Sequence, residues 1–475
     1  MLETDVLIAG AGPAGLLLAA ELALAGVRTT IVERHPEPPP YCRGFNLNSR
    51  SLDLLARRGL ADGLVAEGHQ VPHAPASGLP GPLLLDGTAT DHPFSLGIPQ
   101  TRVEEVLEAR ALELGADILR GHELLSFTQD DSGVTASIHN GLSVRARYLV
   151  GCDGGRSKVR KQAGISFPGM EARWFALLAD VECELPYGPS AGPDGRTVFV
   201  IPRPGYVRIV VREDEPPSDK DTPVTLELVQ AQVDAVLGRH VPLRAPRWLT
   251  RFGDAARLAS SYRSGRVLLA GDAAHIHPPA GAIGVNVALD DAFNLGWKLA
   301  ATVRGTASSG LLDTYHDERH AAGERILANT RAQVALEEAA TGEPWADLLR
   351  RVAAHPAGNR ALAEIFTGLD ACYEPGGHPW LGRLAPDVAL TVAGRPTRLT
   401  ALLHSGRPVL VDLTGTFGGW SAEVEVVAAA STSDFGAVLL RPDGHVAWVS
   451  DGTDDAGLEE ALRRWVGEVP VAAVP

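Results

Sequence analysis

The chain has few of the cysteines from which disulfide-stapled and zinc-structured folds are built. Its 475 residues include only four cysteines, Cys42, Cys152, Cys183 and Cys372, with no C-x-x-C pair and no Cys/His cluster at metal-ligand spacing. This argues against a structural zinc and a disulfide framework, and a reducing compartment without disulfides or metal is expected. Long apolar runs are also missing: the most apolar N-terminal stretch, Val6 to Ala25, is interrupted by glycine, proline and Glu21. Neither a membrane span nor a signal peptide is expected, and the cytoplasm is the default location. No Lys/Arg-rich run offsets the net charge of -15, so nucleic acid and anionic membranes are not expected partners. Absent too are a Walker-type phosphate loop, a Ser-His-Asp order and a paired-carboxylate motif. What is present is 45% hydrophobic content, enough over this length for a large core in about two or three domains.

The N-terminus carries the first positive signal. Thr4 to Ala9 is a short run of β-branched and apolar residues that reads as a buried parallel strand. Gly10, Gly12 and Gly15 follow in a G-x-G-x-x-G turn with Pro13 and Ala14. Leu16 to Ala25 then has helical composition, Gly26 supplies a stop, and Arg28 to Glu33 reads as the next strand. In such a β-α-β unit Gly10 allows the tight turn, Gly12 lets the backbone approach a pyrophosphate, and Gly15 lets helix and strand pack closely. The helix N-terminus faces the phosphates with free N–H groups. Glu33, about 20 residues on, is placed to accept from a ribose; its bland reading is a solvated strand-end carboxylate. The unit predicts a dinucleotide and does not separate NAD from FAD.

Two later segments repeat the strand-then-polar-turn logic. Tyr148 to Gly151 runs into a glycine-rich turn carrying Asp153, Arg156 and Ser157, followed by a helix-compatible stretch to Ala163. Arg266 to Ala270 runs into Gly271 and Asp272, an acid at the carboxyl end of a strand that can hydrogen-bond a ribityl hydroxyl. A rigid loop from Pro278 to Asn286 comes next, and Asp290 to Val303 is expected to be helical. N–H groups around Gly284, Val285 and Asn286 at a helix start would stabilise negative charge on an electron-rich ring.

In order and spacing, Gly10–Gly15, Gly151–Ser157 and Ala270–Pro279 resemble the three fingerprints of the single-component (group A) FAD-dependent aromatic hydroxylases. Within that family the chain is similar to the aromatic polyketide hydroxylases and the rifampicin monooxygenases. The likeness extends to Trp297–Ala300, Leu312–Arg319 and Arg441–Trp448. It implies an α/β fold: a Rossmann-type FAD-binding domain (1–170 and 258–370), an interleaved β-sheet substrate domain (171–257) and a thioredoxin-like C-terminal domain (381–475). It also implies FAD as cofactor, NAD(P)H as co-substrate with NADPH the expected form, O2, and hydroxylation of a polycyclic aromatic molecule through a flavin C4a-hydroperoxide. The chain would be a monomer or homodimer. By position, Gly10, Gly12, Pro13, Ala14, Gly15, Glu33 and Arg34 would hold the ADP half, and Arg43 and Gln100 the pyrophosphate and ribityl chain. Asp272 would hold the ribityl, and Pro279 with Gly284, Val285 and Asn286 the isoalloxazine; Asp153 and Arg156 belong to a motif serving FAD and NAD(P)H. Baeyer-Villiger oxygenation, antibiotic inactivation, or a structural, non-redox FAD are the alternatives on the same scaffold. Two departures stand out: Ile283 replaces a glutamine in the ring loop, and Asp290 stands where a glutamine is usual.

Between Gly164 and Arg257 short β-rich runs (175–184, 196–201, 205–212) predict a sheet that roofs a substrate cavity. Phe199, Tyr206, Arg208 and Trp248 are its candidate pocket residues, each equally able to face core or solvent. Helical segments are expected over 308–340 and 344–365; strands over 408–413, 424–429 and 437–440; and a helix over 457–466. Without C-x-x-C, the last domain has no dithiol chemistry. His275, His277, His316 and His320 are read as structural, since no acid or cysteine completes a ligand set.

Overall fold

The computed structural model describes residues 1–79, 81–215, 217, 222–339, 342–417 and 423–467. The chain divides into two compact units, residues 1–168 with 258–475 and residues 169–257.

The first unit is built on a six-stranded sheet. Its strands lie in the order Arg263–Ser264, Val267–Leu269, Tyr148–Gly151, Val6–Ala9, Thr29–Glu33, Asp117–Arg120, all parallel except the first. The central strands are buried on both faces, so they read as continuous apolar runs without alternation. Register aligns their carboxyl ends: Gly151 pairs with Ala9 and with Leu269, and Ala9 pairs with Val32. Three polar turns thus leave one sheet edge from adjacent strands. The Pro13–Leu24 helix, apolar except for Glu21 and mostly buried, packs against the helices Gln100–Glu113 and Gly284–Arg304. Gly296 permits that approach, because a Cβ there would fall 2.5 Å from the Glu21 Cβ.

The helix expected over 290–303 starts six residues earlier, at Gly284. Ile283 and Gly284, which read as loop, already belong to its capping turn. The helical stretch after 308 runs from Thr314 to Glu338, and Ala340 lies outside the described residues. The region 344–365 is two helices, Pro344–Ala354 and Pro356–Thr367, because Pro356 cannot continue the first.

The C-terminal part of this unit is a mixed sheet ordered 395–398, 389–392, 425–430, 409–412, 437–440, 446–450. The Leu458–Trp465 helix closes it, burying Leu458, Leu462 and Trp465 in a cluster with Trp297 and Trp448; residues 468–475 lie outside the described residues. Arg58 ties it to the core, donating bidentately to Glu21 at 2.7 Å and to the carbonyls of Leu403 and Pro442.

The second unit is a five-stranded antiparallel sheet ordered 188–191, 197–203, 206–212, 175–182, 244–253. One face carries Leu177, Val181, Val200, Ile209 and Val211 against Val229, Val233 and Val236 of the Leu226–Leu237 helix. The strand 244–253, unforeseen in the sequence, tolerates Pro246 because it lies at the sheet edge. Among the described residues no helix is long and apolar enough to cross a membrane.

Candidate functional site

The three glycines of the first turn have three different reasons to lack a side chain. Gly10 has φ +110°, and a Cβ there would collide with the Cys152 carbonyl at the end of the neighbouring strand. A Cβ on Gly15 would collide with the Gly10 carbonyl oxygen. Around Gly12 a built Cβ meets nothing within 4 Å beyond its chain neighbours, so packing of the fold does not demand glycine there. Pro13 and Ala14 open the helix behind it. Glu33 binds the same turn from the next strand, accepting from the Ala11 N–H at 2.9 Å and, with its other oxygen, from the His35 N–H at 2.9 Å. Each oxygen keeps a lone pair for a hydroxyl donor. Arg34 is exposed beside it, its Nε 3.2 Å from the His35 Nε2.

In the second turn one oxygen of Asp153 accepts from the N–H groups of Lys158 and Val159, at 2.7 and 3.1 Å, and the other is buried with no partner among the described residues. Arg156 is exposed. Arg160, which sequence reasoning passed over, donates to the carbonyls of Ala273 and Gly155 at 2.7 and 2.9 Å. It thereby pins the second turn to the third.

The third turn places Asp272 in a short 3-10 segment, exposed and without a hydrogen bond to any described residue. Pro279 is exposed nearby in the chain. Gly281 and Ala282 both take positive φ, +73° and +51°, a conformation that costs an alanine about 1 kcal/mol. Ile283 is only 5% exposed, so its side chain packs into protein and does not offer an open face. The helix begins at Gly284, and its first N–H groups, those of Gly284, Val285 and Asn286, have no intrahelical acceptor. The Asn286 side chain turns inward: its Oδ1 accepts from the Asn48 N–H at 2.8 Å, and its Nδ2 donates to the carbonyls of Asn46 and Ala282.

Gln100 starts a helix, donating its N–H to the Gly44 carbonyl at 2.8 Å and its amide to Glu104 at 2.8 Å. Burial raises the Glu104 carboxyl, with the Gln100 bond and Arg43 opposing. Arg43 is exposed, 6.0 Å from the Tyr41 ring centre.

Behind the turns lies a buried ionic network that the sequence did not announce. Asp291 accepts from the Gly271 N–H at 2.9 Å, His275 Nε2 at 2.8 Å and Arg319 Nε at 2.7 Å. Asp290 is paired with Arg319 at 2.7 Å and Arg50 at 3.0 Å. Its departure from glutamine therefore adds a charge inside this network. Burial opposes ionising Asp290, yet Arg319 and Arg50 outweigh it and hold the carboxyl well below the usual range. Arg50 also reaches His445 at 3.2 Å, where the chain enters Asp443, Arg441, Glu318 and Lys298. Burial pushes the Lys298 ammonium down to about 8 against the pull of Glu318. Four carboxylates (Asp290, Asp291, Glu318, Asp443) face four cations (Arg50, Arg319, Lys298, Arg441), all buried. His277 and His316 make ordinary contacts, to the Pro278 carbonyl and the Tyr262 N–H.

In the second unit Phe199, Tyr206, Arg208 and Trp248 share the sheet face opposite the helix-packed one, since their strand neighbours Val200, Val207 and Ile209 are in the core cluster. Arg208 is not open: it forms a buried bidentate pair with Asp180 at 2.8 and 2.9 Å and lies over the Trp248 ring. Asp180 faces Arg208 on one side and Trp248 on the other. Phe199 is 47% exposed.

These features fit an ADP-and-flavin ligand: an open glycine, an orphaned buried acid oxygen, an unpaired exposed acid and a free helix start, on turns from one sheet edge. Known proteins agree. A family model for an FAD binding domain matches residues 3–330, and one described as aromatic-ring hydroxylase, C-terminal, matches residues 378–469. A 12-dehydrotetracycline 5-monooxygenase/anhydrotetracycline 6-monooxygenase from Streptomyces rimosus is 42% identical, covering 98% of this chain and 99% of its own. A rifampicin monooxygenase from Streptomyces venezuelae is 42% identical, covering 98% of each. The solved anhydrotetracycline hydroxylase from Streptomyces rimosus superposes with a TM-score of 0.92 at 41% identity, over 99% of this chain and 100% of that one. This chain belongs to the FAD-dependent aromatic-ring hydroxylases.

Proposed function

We propose that this protein is an NAD(P)H-consuming FAD monooxygenase that hydroxylates a polycyclic, polyketide-type aromatic molecule in the biosynthesis of an antibiotic or other secondary metabolite. The observation that carries the reading is the alignment of three polar turns at one parallel-sheet edge, in a chain similar over its length to tetracycline and rifampicin monooxygenases. Bound FAD supplies electron acceptance from NADPH or NADH and activation of O2. The chain's own residues bind and orient. Gly12 admits the pyrophosphate to the Pro13 helix start, framed by Gly10, Ala14 and Gly15, and Glu33 with Arg34 holds the adenosine side. Arg43 and Gln100 lie along the pyrophosphate and ribityl chain, and Asp153 and Arg156 along the nucleotide path. Asp272 accepts from ribityl hydroxyls. Pro279 and the N–H groups of Gly284, Val285 and Asn286 meet the ring, where donors favour the charge of the reduced state.

Phe199, Tyr206 and Trp248 offer an aromatic face to a flat polycyclic substrate. Arg208 holds Trp248 and Asp180 in place and is a positioning residue. The division into a discontinuous FAD-binding domain, a substrate domain over 171–257 and a thioredoxin-like domain from 381 belongs to the same reading.

The test supplies NADPH or NADH, O2 and a panel of polycyclic phenols that includes anhydrotetracycline. Incorporation of one oxygen atom from labelled O2 into a product is expected; a bound flavin that neither nucleotide reduces would overturn the proposal. Asp272→Ala is expected to weaken FAD binding about 10- to 100-fold, as loss of a charge-assisted hydrogen bond does, while leaving the melting temperature of the apoprotein unchanged.

A further inference from the structure

One polar group beside the start of the Gly284 helix has no partner. The Asn46 amide nitrogen is buried and donates to no described residue. Its main chain has little freedom to move it. The Asn46 carbonyl accepts from Asn286 Nδ2 at 3.2 Å. The next residue, Leu47, exchanges both backbone hydrogen bonds with Leu96, at 3.0 and 2.8 Å. Asn48 then gives its N–H to Asn286 Oδ1, caps the Ser49–Ala56 helix by accepting from the Ser51 N–H at 2.9 Å, and donates to the Thr367 carbonyl at 3.0 Å. Segment 46–48 is therefore stitched to the same asparagine whose own N–H belongs to the free helix start.

A buried donor without an acceptor costs about 1–3 kcal/mol, and the Oδ1 of Asn286, the side chain that binds the Asn46 carbonyl, already accepts from the Asn48 N–H. Folding alone gives no return for that cost. A ligand with carbonyl oxygens at the helix start does.

We propose that Asn46 is a cofactor-contacting residue, its Nδ2 donating to a carbonyl oxygen on the pyrimidine edge of the flavin. This rests on the FAD reading above. Electron density on those oxygens rises when the ring is reduced, so the donor favours the reduced form over the oxidised one.

The test compares wild type with Asn46→Leu, close in volume and without the donor. Three quantities are read: the melting temperature of the apoprotein, the FAD dissociation constant from fluorescence titration, and the midpoint potential of bound flavin. The expected pattern is an apoprotein at least as stable as wild type, FAD binding weakened about 5- to 30-fold, and a more negative potential. A merely structural asparagine gives the reverse, a lower apoprotein melting temperature with affinity and potential unmoved, and that result overturns the assignment. FAD affinity and potential both unchanged at unchanged stability overturn it equally. Should wild type itself fail to bind FAD, the flavin reading falls first and Asn46 with it. A wild type that binds normally beside an unaffected variant removes the Asn46 assignment alone.

Discussion

Replacing Arg441 by methionine removes the cation on which two buried carboxylates depend. The guanidinium donates to both Glu318 oxygens at 2.7 and 3.0 Å and to both Asp443 oxygens at 3.1 and 2.5 Å. It also lies 4.5 Å from the Trp465 ring centre. Methionine keeps much of that packing and none of the charge. Lys298, 2.8 Å from Glu318, is then the remaining cation for both acids, and removing one member of a buried pair costs about 3–5 kcal/mol. The loss should depend on pH with a defined sign. In wild type, burial works to raise the Glu318 carboxyl, but Arg441 and Lys298 hold it at about 2. Its stabilising contribution is therefore complete above the ordinary glutamate range, about pH 4.3, and fades only as pH falls from there towards 2. Without Arg441 the carboxyl titrates higher, so the variant's native state takes up a proton that wild type refuses, and the gap narrows on acidification. Urea unfolding from pH 7 down to pH 4 measures this directly. Adding Glu318→Met should recover part of the loss, with a coupling of at least about 1.5 kcal/mol in the double-mutant cycle. A deficit below about 1 kcal/mol at pH 7, or one that widens as pH falls, would refute the argument.

The first turn separates ligand-driven from fold-driven glycine. Gly12→Ala should leave apoprotein unfolding within about 1 kcal/mol of wild type yet weaken FAD in fluorescence titration, whereas Gly15→Ala should prevent accumulation of folded protein; equal effects would show that one constraint governs both. Arg208→Met should destabilise by about 3–5 kcal/mol by leaving Asp180 buried and uncompensated, while Arg208→Met with Asp180→Leu should recover most of it; denaturant melts of wild type, the single variant and the double variant decide.

What the sequence makes legible is what depends on local rules. The glycine turn, its helix and its terminal acid need only neighbours in the chain, so Gly10, Gly15 and Glu33 could be singled out from the sequence, and the structure brings them to one turn, with a Cβ excluded at both glycines and Glu33 bonded to the Ala11 N–H. Facing is another matter. Strand alternation places Phe199, Tyr206, Arg208 and Trp248 on one of two faces without saying which, and only the Leu226–Leu237 helix, packed on the other, decides it. The ionic network was hidden for a similar reason: Asp290, Asn294 and Lys298 recur every fourth residue along one helix, with Asp291 beside them. That spacing marks a polar stripe but does not reveal that Arg50 and Arg441, distant in sequence, arrive to neutralise it. Ile283, read from the sequence as an oddity in the ring loop, and Asp290, read as standing in place of a glutamine, are both buried. Arg160, Glu104 and Asn46 carry no pattern of their own; a lone arginine, acid or amide in a loop or helix gains meaning only from its partners, or from lacking one.

The inward turn of Asn286 has a practical consequence for anyone mapping this enzyme by substitution. The groups that would touch the ring at positions 284–286 are amide hydrogens, and no replacement short of proline deletes an amide hydrogen. An alanine scan across the loop will pass over Gly284 and Val285 almost silently and register a severe loss at Asn286. The loss will measure how far the 46–48 segment has come away from the helix, and an investigator who scores it as lost flavin contact will credit the wrong atoms.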